Sequence, residues 1–270
     1  LADLSDSALL DSALWNSKVW RLIPLLKAPG RVQMAIDRWL LDQYCQGCIP
    51  PTLRFYTWSP IALSLGYHQR KYPAFWQALT WNQQPIDLVR RPTGGRAVLH
   101  QGDLSYAIVT SGIDSGIAGS RMQTYRYLCE FLIRGWRSLG VELRYGEAGR
   151  GYIHNPDCFG TATAADLVMP NGAKLIGSAQ LYRKTQGQSA VLQHGSIRLN
   201  PDPDLFRQVF ETPMEGMPLE QGWDAEKAME VTIATSVTSA ETWFGIQLVP
   251  QPLSEIEWQA ILALENLDLA

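Results

Sequence analysis

Three segments of this chain combine residue types and spacings that carry chemistry. The first is Arg90-Arg91-Pro92-Thr93-Gly94-Gly95-Arg96-Ala97-Val98-Leu99-His100. Two adjacent glycines permit positive φ and a close approach of backbone to a ligand. Successive N–H groups in such a turn can form an anion-binding concavity. Arg91 and Arg96 flank it, so the segment suits a phosphate or an acyl oxygen. The alternative is an ordinary turn between strands with solvated arginines. The second segment runs from Asn171-Gly172-Ala173-Lys174 through Leu175-Ile176-Gly177-Ser178-Ala179-Gln180. Small residues inside a strand let a ligand or another backbone lie against it. A lysine at its start can donate to a carbonyl or carboxylate, unless it is solvated, the usual state of lysine. The third is Asn155-Pro156-Asp157-Cys158-Phe159-Gly160. A loop thiol near a cation has its pKa drawn below about 8.5 and becomes a nucleophile. Otherwise Cys158 is an incidental thiol.

Other chemical residues are weaker candidates. Cys129 falls on the apolar stripe of a helix and reads as core. Cys45-Gln46-Gly47-Cys48 is a C-x-x-C, but no second pair follows. Zinc needs four ligands, and a redox pair should open a helix rather than close one. No metal site is expected. His194, beside Gly195 in Leu192-Gln193-His194-Gly195-Ser196, is either a structural histidine or, with Lys174 on a neighbouring strand, a pocket residue.

These residues need elements to position them. Val32, Ile36, Trp39, Leu40 and Gln43 follow a helical period that ends near Gly47 and Pro50-Pro51. Leu53 to Trp58 alternates as a strand, and Ile61 to Tyr67 is a second after the Ser59-Pro60 turn. Asp87 to Arg91 leads as a strand into the Gly-Gly turn, and Ala97 to Leu99 and Leu104 to Thr110 follow. Met122, Tyr125, Cys129, Leu132, Trp136 and Leu139 mark the most regular helix, which Gly140 stops. From Asp166 to Asn200 the pattern is a β-meander, with Pro170-Asn171-Gly172 as its first turn. Helices are expected at 204–210, 225–243 and 254–264, the last opened by a Ser254–Glu257 capping box. Strands in the middle with flanking helices argue for an α+β fold: a central mixed or antiparallel sheet flanked by helices. The expected organisation is a peripheral segment 1–30, a catalytic domain 31–250, and a C-terminal helix 251–270 packed on the same domain.

Composition bounds the function. Of 270 residues, 46% are apolar and 18% charged, enough to bury a large core. A net charge of -3 gives no basic footprint for nucleic acid. No apolar stretch reaches a membrane span. Asp3, Asp6 and Asp11 against Lys18 are the wrong charge for a leader. Four cysteines do not make a disulfide scaffold, so a reducing cytoplasm is expected.

Taken in order, the segments resemble the lipoate–biotin protein ligase superfamily, the lipoate branch far more than the biotin branch. Arg91 to His100 resembles its Gly-rich segment, Gly172 to Gln180 its lysine strand, and Leu192 to Ile197 the strand that follows. Thr52 to Trp58 with Leu63 to Tyr67 is similar to its opening hairpin. The resemblance covers roughly residues 30 to 250. It implies a catalytic domain of the class II aminoacyl-tRNA synthetase and biotin synthetase-like type. Two reactions occur there. ATP-dependent lipoate ligases make an acyl-adenylate. Octanoyltransferases use no cofactor and pass octanoate through a cysteine thioester.

The octanoyltransferase branch is the better likeness. Ligases have a third glycine where Arg96 stands, a histidine-aspartate pair where this chain has His100-Gln101, and a C-terminal accessory domain. The transferases have Cys-Phe shortly before the lysine, and Cys158-Phe159 begins 16 residues before Lys174. The resemblance therefore implies Cys158 as nucleophile and Lys174 as its partner. It implies Arg91, Thr93, Gly94, Gly95, Arg96, His100, Gly177, Ser178, Ala179, His194 and Gly195 as the substrate-binding set. Octanoyl-acyl carrier protein is the implied donor. A lipoyl domain or the glycine cleavage H protein is the implied acceptor. An ATP-dependent lipoate ligase and a non-catalytic acyl binder of the same fold are the alternatives. Gln101-Gly102-Asp103 departs from the transferases, which have an acidic residue directly after the histidine.

Overall fold

The structure, a computed structural model, describes residues 18–111, 120–146, 166–185, 189–214 and 223–267. In chain order its strands are β1 (Val19–Ala28), β2 (Thr52–Trp58), β3 (Ala62–Leu65), β4 (Thr80–Trp81), β5 (Gln84–Pro85), β6 (Asp87–Arg90), β7 (Val98–His100), β8 (Asp103–Thr110), β9 (Arg144–Tyr145), β10 (Asp166–Val168), β11 (Lys174–Lys184), β12 (Ser189–Arg198) and β13 (Gln247–Pro250). The helices are α1 (Gly30–Cys45), α2 (Arg121–Ser138), α3 (Pro203–Phe210), α4 (Ala225–Phe244) and α5 (Glu255–Leu267).

Eight strands form one sheet in the order β13-β1-β2-β8-β12-β11-β10-β9. β1 runs parallel to β2 and β13; the other pairings are antiparallel. The expected α+β fold with a mixed sheet is therefore the fold observed. Strand alternation gives the sheet two faces. Leu53 and Phe55 of β2, Leu104, Tyr106 and Ile108 of β8, and Val191 and Ile197 of β12 pack with α2 and α4. Ala107 and Val109 of β8, with Ala190 and Leu192 of β12, pack with α1 and α5. Each buried Leu or Phe contributes about 1.5–3 kcal/mol relative to exposure. On α2, Tyr125, Cys129, Leu132 and Trp136 are buried, whereas Met122, which opens the same stripe, is exposed.

Two expectations change. Residues 19–28, placed in a peripheral segment by the sequence pattern, form β1 inside the sheet, with Trp20, Arg21 and Ile23 buried. Pro24 sits within a register shift between Ile23 and Leu26, which is how a strand accommodates a residue without an N–H. β2 and the next strand do not form a hairpin. After Ser59-Pro60, β3 joins a separate sheet of order β6-β3-β7. A third core, built from Leu63, Leu65, Trp76, Leu99, Leu205 and Phe206 among others, packs that sheet against α3.

The C-terminal α5 is tied back to β1. Glu257 accepts from both terminal nitrogens of buried Arg21, at 2.7 and 2.9 Å. The same carboxylate accepts from the Ser254 N–H at 2.7 Å, and Ser254 Oγ accepts from the Glu257 N–H at 3.3 Å. That is the expected capping box, with its acid also serving as a salt-bridge partner.

Candidate active site

On the α1 side of the sheet the apolar pattern gives way to polar and small residues. Register explains which. In β12, His194 lies opposite Ala179 of β11 and Ala107 of β8, and Ser196 lies opposite Gly177 and Ser105. Tyr56 of β2 lies opposite Ser105 on the other flank. These positions share one face. Over them sits a cavity of about 290 Å³, bordered by the turn between β6 and β7. Met34, Tyr56, Trp58 and Val98 give it apolar walls.

The turn contributes Arg91, Gly94, Gly95 and Arg96 to the lining, and β7 contributes His100. Gly95 has φ +98, a conformation that only glycine adopts freely. β11 supplies Gly177, Ser178 and Ala179, and β12 supplies His194 and Gly195. Thr93 lies behind the wall, buried.

One of the two flanking arginines also holds the turn itself. Arg91 is buried and donates to the carbonyls of Gly94 (2.9 Å), Arg96 (2.6 Å) and Ser64 (2.9 Å). It staples the glycine turn to β3. Ser178 likewise turns its hydroxyl to Tyr106 OH at 2.8 Å, on the α2 side of the sheet.

Two hydroxyl–histidine–carboxylate chains brace the cavity. Thr93 Oγ1 is 2.6 Å from His194 Nε2, and His194 Nδ1 is 2.7 Å from Asp37 Oδ2. Asp37 is paired in turn with buried Arg54, which also donates to Gln33 Oε1 at 2.8 Å. The second chain runs from Ser64 Oγ to His100 Nε2 at 2.8 Å, then from His100 Nδ1 to Asp103 Oδ2 at 2.8 Å. Ser105 and Ser196 donate to the same Asp103 oxygen, at 3.3 and 2.7 Å. Trp58 stacks on the His100 ring at 3.9 Å. Burial is the main cause that lowers the His100 pKa below its usual value. Asp103 opposes it, while Arg91 and His194 add to it. His100 is therefore neutral at neutral pH, with Nδ1 as donor to Asp103 and Nε2 as acceptor from Ser64.

Lys174 is buried at the start of β11, with Nζ 2.7 Å from Asp166 Oδ1. Asp166 belongs to the cavity lining. The ammonium lies beneath Gly177, in space that a Cβ there would fill. Cys158 and Phe159 lie outside the described residues. Of the other thiols, Cys129 is held in the core, and burial pushes it up to about 12. Cys45 is buried, within 3.7 Å of Thr185 Oγ1, and Cys48 is exposed.

Residues 29–235 match the family model described as Lipoyl protein ligase A/B catalytic domain. The chain belongs to that family. Curated relatives in this lipoyl protein ligase family include "Octanoyltransferase LipM" of Kyrpidia tusciae, 38% identical over 73% of this chain and 72% of that one. The protein of the same name from Halalkalibacterium halodurans is 31% identical over 89% and 92%. That from Bacillus subtilis is 34% identical over 74% and 72%. Among solved structures, lipoate-protein ligase A bound with ATP shares the fold at TM-score 0.70 and 23% identity, over 91% of this chain and 94% of that one. A bipartite lipoate protein ligase from Thermoplasma acidophilum shares it at TM-score 0.65 and 22% identity, over 91% of each.

Sequence patterns missed several residues of this family member's site. Asp37 and Gln33 stand four apart on the buried face of α1, and that spacing among apolar residues was the available signal. Arg54 alternates outward on paper, yet it is 1% exposed. Ser64 and Ser196 lie inside segments that carry the resemblance, and Asp103 closes the Gln101-Gly102-Asp103 departure, but nothing in those patterns joins them to Ser105 or to one another. Only the pairing register and the hydrogen bonds bring them together.

Proposed function

We propose that the chain is an octanoyltransferase of lipoate biosynthesis. It moves octanoyl from acyl carrier protein, through a Cys158 thioester, to a lysine of a lipoyl domain or of the glycine cleavage H protein. The observation that carries this is the likeness to LipM octanoyltransferases, at 31–38% identity over more than two thirds of both chains. Two further observations support it: the apolar-walled cavity, and the Lys174–Asp166 pair beside its floor.

In this scheme Asp166 fixes the Lys174 ammonium, and the cation favours the Cys158 thiolate by Coulomb attraction. The thiolate attacks the donor thioester, a new C–S bond forms, and the carrier thiol leaves. The acyl chain rests against Met34, Tyr56, Trp58 and Val98. Burying its seven remaining carbons at about 0.8 kcal/mol each gives roughly 5–6 kcal/mol of gross recognition. The neutral acceptor lysine then attacks the thioester, forming the amide and releasing Cys158. Arg91, Thr93, Gly94, Gly95, Arg96, His100 and His194 shape the pocket around the acyl group. No described helix is long and apolar enough to cross a membrane, and the reducing cytoplasm suits the free thiol.

The test is transfer from octanoyl-acyl carrier protein to a lipoyl domain with ATP omitted, followed by mass spectrometry of the enzyme. Transfer without ATP and an octanoyl thioester on Cys158, absent from Cys158→Ala, are expected. Modification that requires ATP and free octanoate would assign the ligase reaction instead.

A further inference from the structure

Of the two hydroxyl–histidine–carboxylate chains, only one ends in a hydroxyl on the cavity. Thr93 lies behind the wall, but Ser64 and His100 both belong to the lining. The chain Ser64 Oγ–His100–Asp103, with both steps at 2.8 Å, has the connectivity of a nucleophile, a general base and an orienting acid. Such triads are recognised by geometry and roles, not by sequence position. Three details fit. Ser196 and Ser105 hold the Asp103 carboxylate in place, and Trp58 fixes the imidazole plane. Arg91 Nη1 stands 3.3 Å from Ser64 Oγ, a positive charge beside the oxygen that gives up its proton. Burial keeps His100 neutral, the state a base requires.

We infer that Ser64 is a second nucleophile of this cavity and gives the protein a serine-dependent acyl-ester hydrolase activity on medium-chain acyl esters and thioesters. Ser64 Oγ attacks the acyl carbonyl as its proton passes to His100 Nε2. The C–O or C–S bond of the substrate breaks, and the leaving group takes the proton from His100. Water then attacks the acyl-serine, His100 accepts its proton and returns it to Ser64 Oγ, and the free acid departs. This route shares the cavity with octanoyl transfer but does not use Cys158.

The probe is 4-nitrophenyl octanoate. Neutral hydroxylamine cleaves thioesters and spares oxygen esters, so it separates adducts on Cys158 from those on Ser64. Expected is an octanoyl group on the Ser64 peptide that survives hydroxylamine, in the native protein and in Cys158→Ala alike. In the Cys158→Ala background, Ser64→Ala removes it and lowers nitrophenol release about a hundredfold or more, the usual worth of a positioned base with its nucleophile. His100→Gln lowers release similarly. Ser64→Cys, which preserves shape and thereby controls for folding, converts the adduct to a hydroxylamine-labile one. Absence of any hydroxylamine-resistant adduct on Ser64, or unchanged release in Ser64→Ala, overturns the inference. Failure to form the Cys158 thioester with octanoyl-acyl carrier protein counts against octanoyl transfer alone.

Discussion

Gly177→Ala adds one methyl where the Lys174 side chain already lies. The new Cβ would stand 2.7 Å from Lys174 Cε and 2.9 Å from Nζ. An unstrained carbon contact needs about 3.5–4.0 Å, so the end of the lysine must retreat by about 1 Å. Its 2.7 Å contact with Asp166 then stretches past the hydrogen-bonding range, which closes at about 3.2 Å. Breaking a buried ion pair outright costs about 3–5 kcal/mol. A stretched pair keeps part of its attraction, and the strand regains about 0.5–1 kcal/mol by losing a glycine. The expected destabilisation is therefore about 1–3 kcal/mol, the usual cost of overpacking. The effect on rate is larger in proportion. A misplacement of about 1 Å in a positioned group costs roughly a hundredfold. The assay is kcat/KM for octanoyl transfer beside a urea melt of the same protein. A folded Gly177→Ala enzyme that transfers octanoate at the native rate would refute the idea that this glycine seats Lys174. Gly195→Ala differs in kind. Its methyl meets the Gly177 carbonyl oxygen at 2.6 Å, which is backbone and cannot swing aside, so β11 and β12 must part and stability should fall further than for Gly177→Ala.

Three more outcomes are expected. The buried His100 has a lowered pKa, so the unfolded chain binds its proton more readily. Its contribution to stability is complete above about pH 6.5 and declines as pH falls from there toward the folded value. His100→Gln should flatten urea-melt stability between those limits, and an unchanged slope would contradict the assignment. For Glu257, burial pushes the pKa up, but the hydrogen bonds and charge of Arg21 and the Ser254 amide outweigh it and leave it lowered. Its contribution is present above about pH 4.3 and lost as pH falls through the lower folded value. Glu257→Gln should cost about 1–3 kcal/mol at neutral pH by thermal denaturation, and less in acid. Thr93→Val keeps shape but removes the partner of His194 Nε2. It should cost about 1–3 kcal/mol and raise KM by loosening the glycine turn, while Thr93→Ser restores both; native KM in the valine variant would count against the clamp.

Much of the fold was legible because its elements are locally consistent. The α2 stripe, the meander from β10 to β12 and the α5 capping box are written in residues a few positions apart. What escaped depends on pairing across the chain. β1 is interrupted by Pro24, and its partner β13 comes more than two hundred residues later, so neither looks like an interior strand alone. β2 and β3 look like a hairpin because a proline turn separates two apolar runs, and only tertiary packing sends them to different sheets. The cavity residues from the Gly-Gly turn and the lysine strand were readable by type. The groups that hold them were not. Asp166 was visible beside Leu167, but its pairing with Lys174 follows from the β10–β11 register, where Gly177 opposes it.

At Gln101-Gly102-Asp103 the acid that reaches His100 stands three residues after it rather than directly after it. An acid directly after His100 would extend from β7 into the turn. Here Gln101 turns outward from the histidine and accepts the Asp202 N–H at 2.6 Å, tying the turn to the start of α3. Gly102, with φ +63, reverses the chain so that β8 begins with Asp103 facing back toward β7. The carboxylate then lies 2.8 Å from His100 Nδ1. It also gains Ser196 from β12 as a donor, a partner that a residue in the turn would have lacked. The acid is thereby anchored to the rigid sheet rather than to a loop, and that anchoring holds the imidazole in one tautomer toward Ser64. A substitution at Ser196 should therefore reach the chemistry of Ser64 without touching it. Ser196→Ala, which frees Asp103 to rotate, should lower the hydrolysis of 4-nitrophenyl octanoate in the Cys158→Ala background. Octanoyl transfer by Ser196→Ala with Cys158 intact should fall less than hydrolysis, because Ser196 touches that reaction only through the cavity lining. A fall in transfer equal to the fall in hydrolysis would show instead that the residue merely supports the cavity.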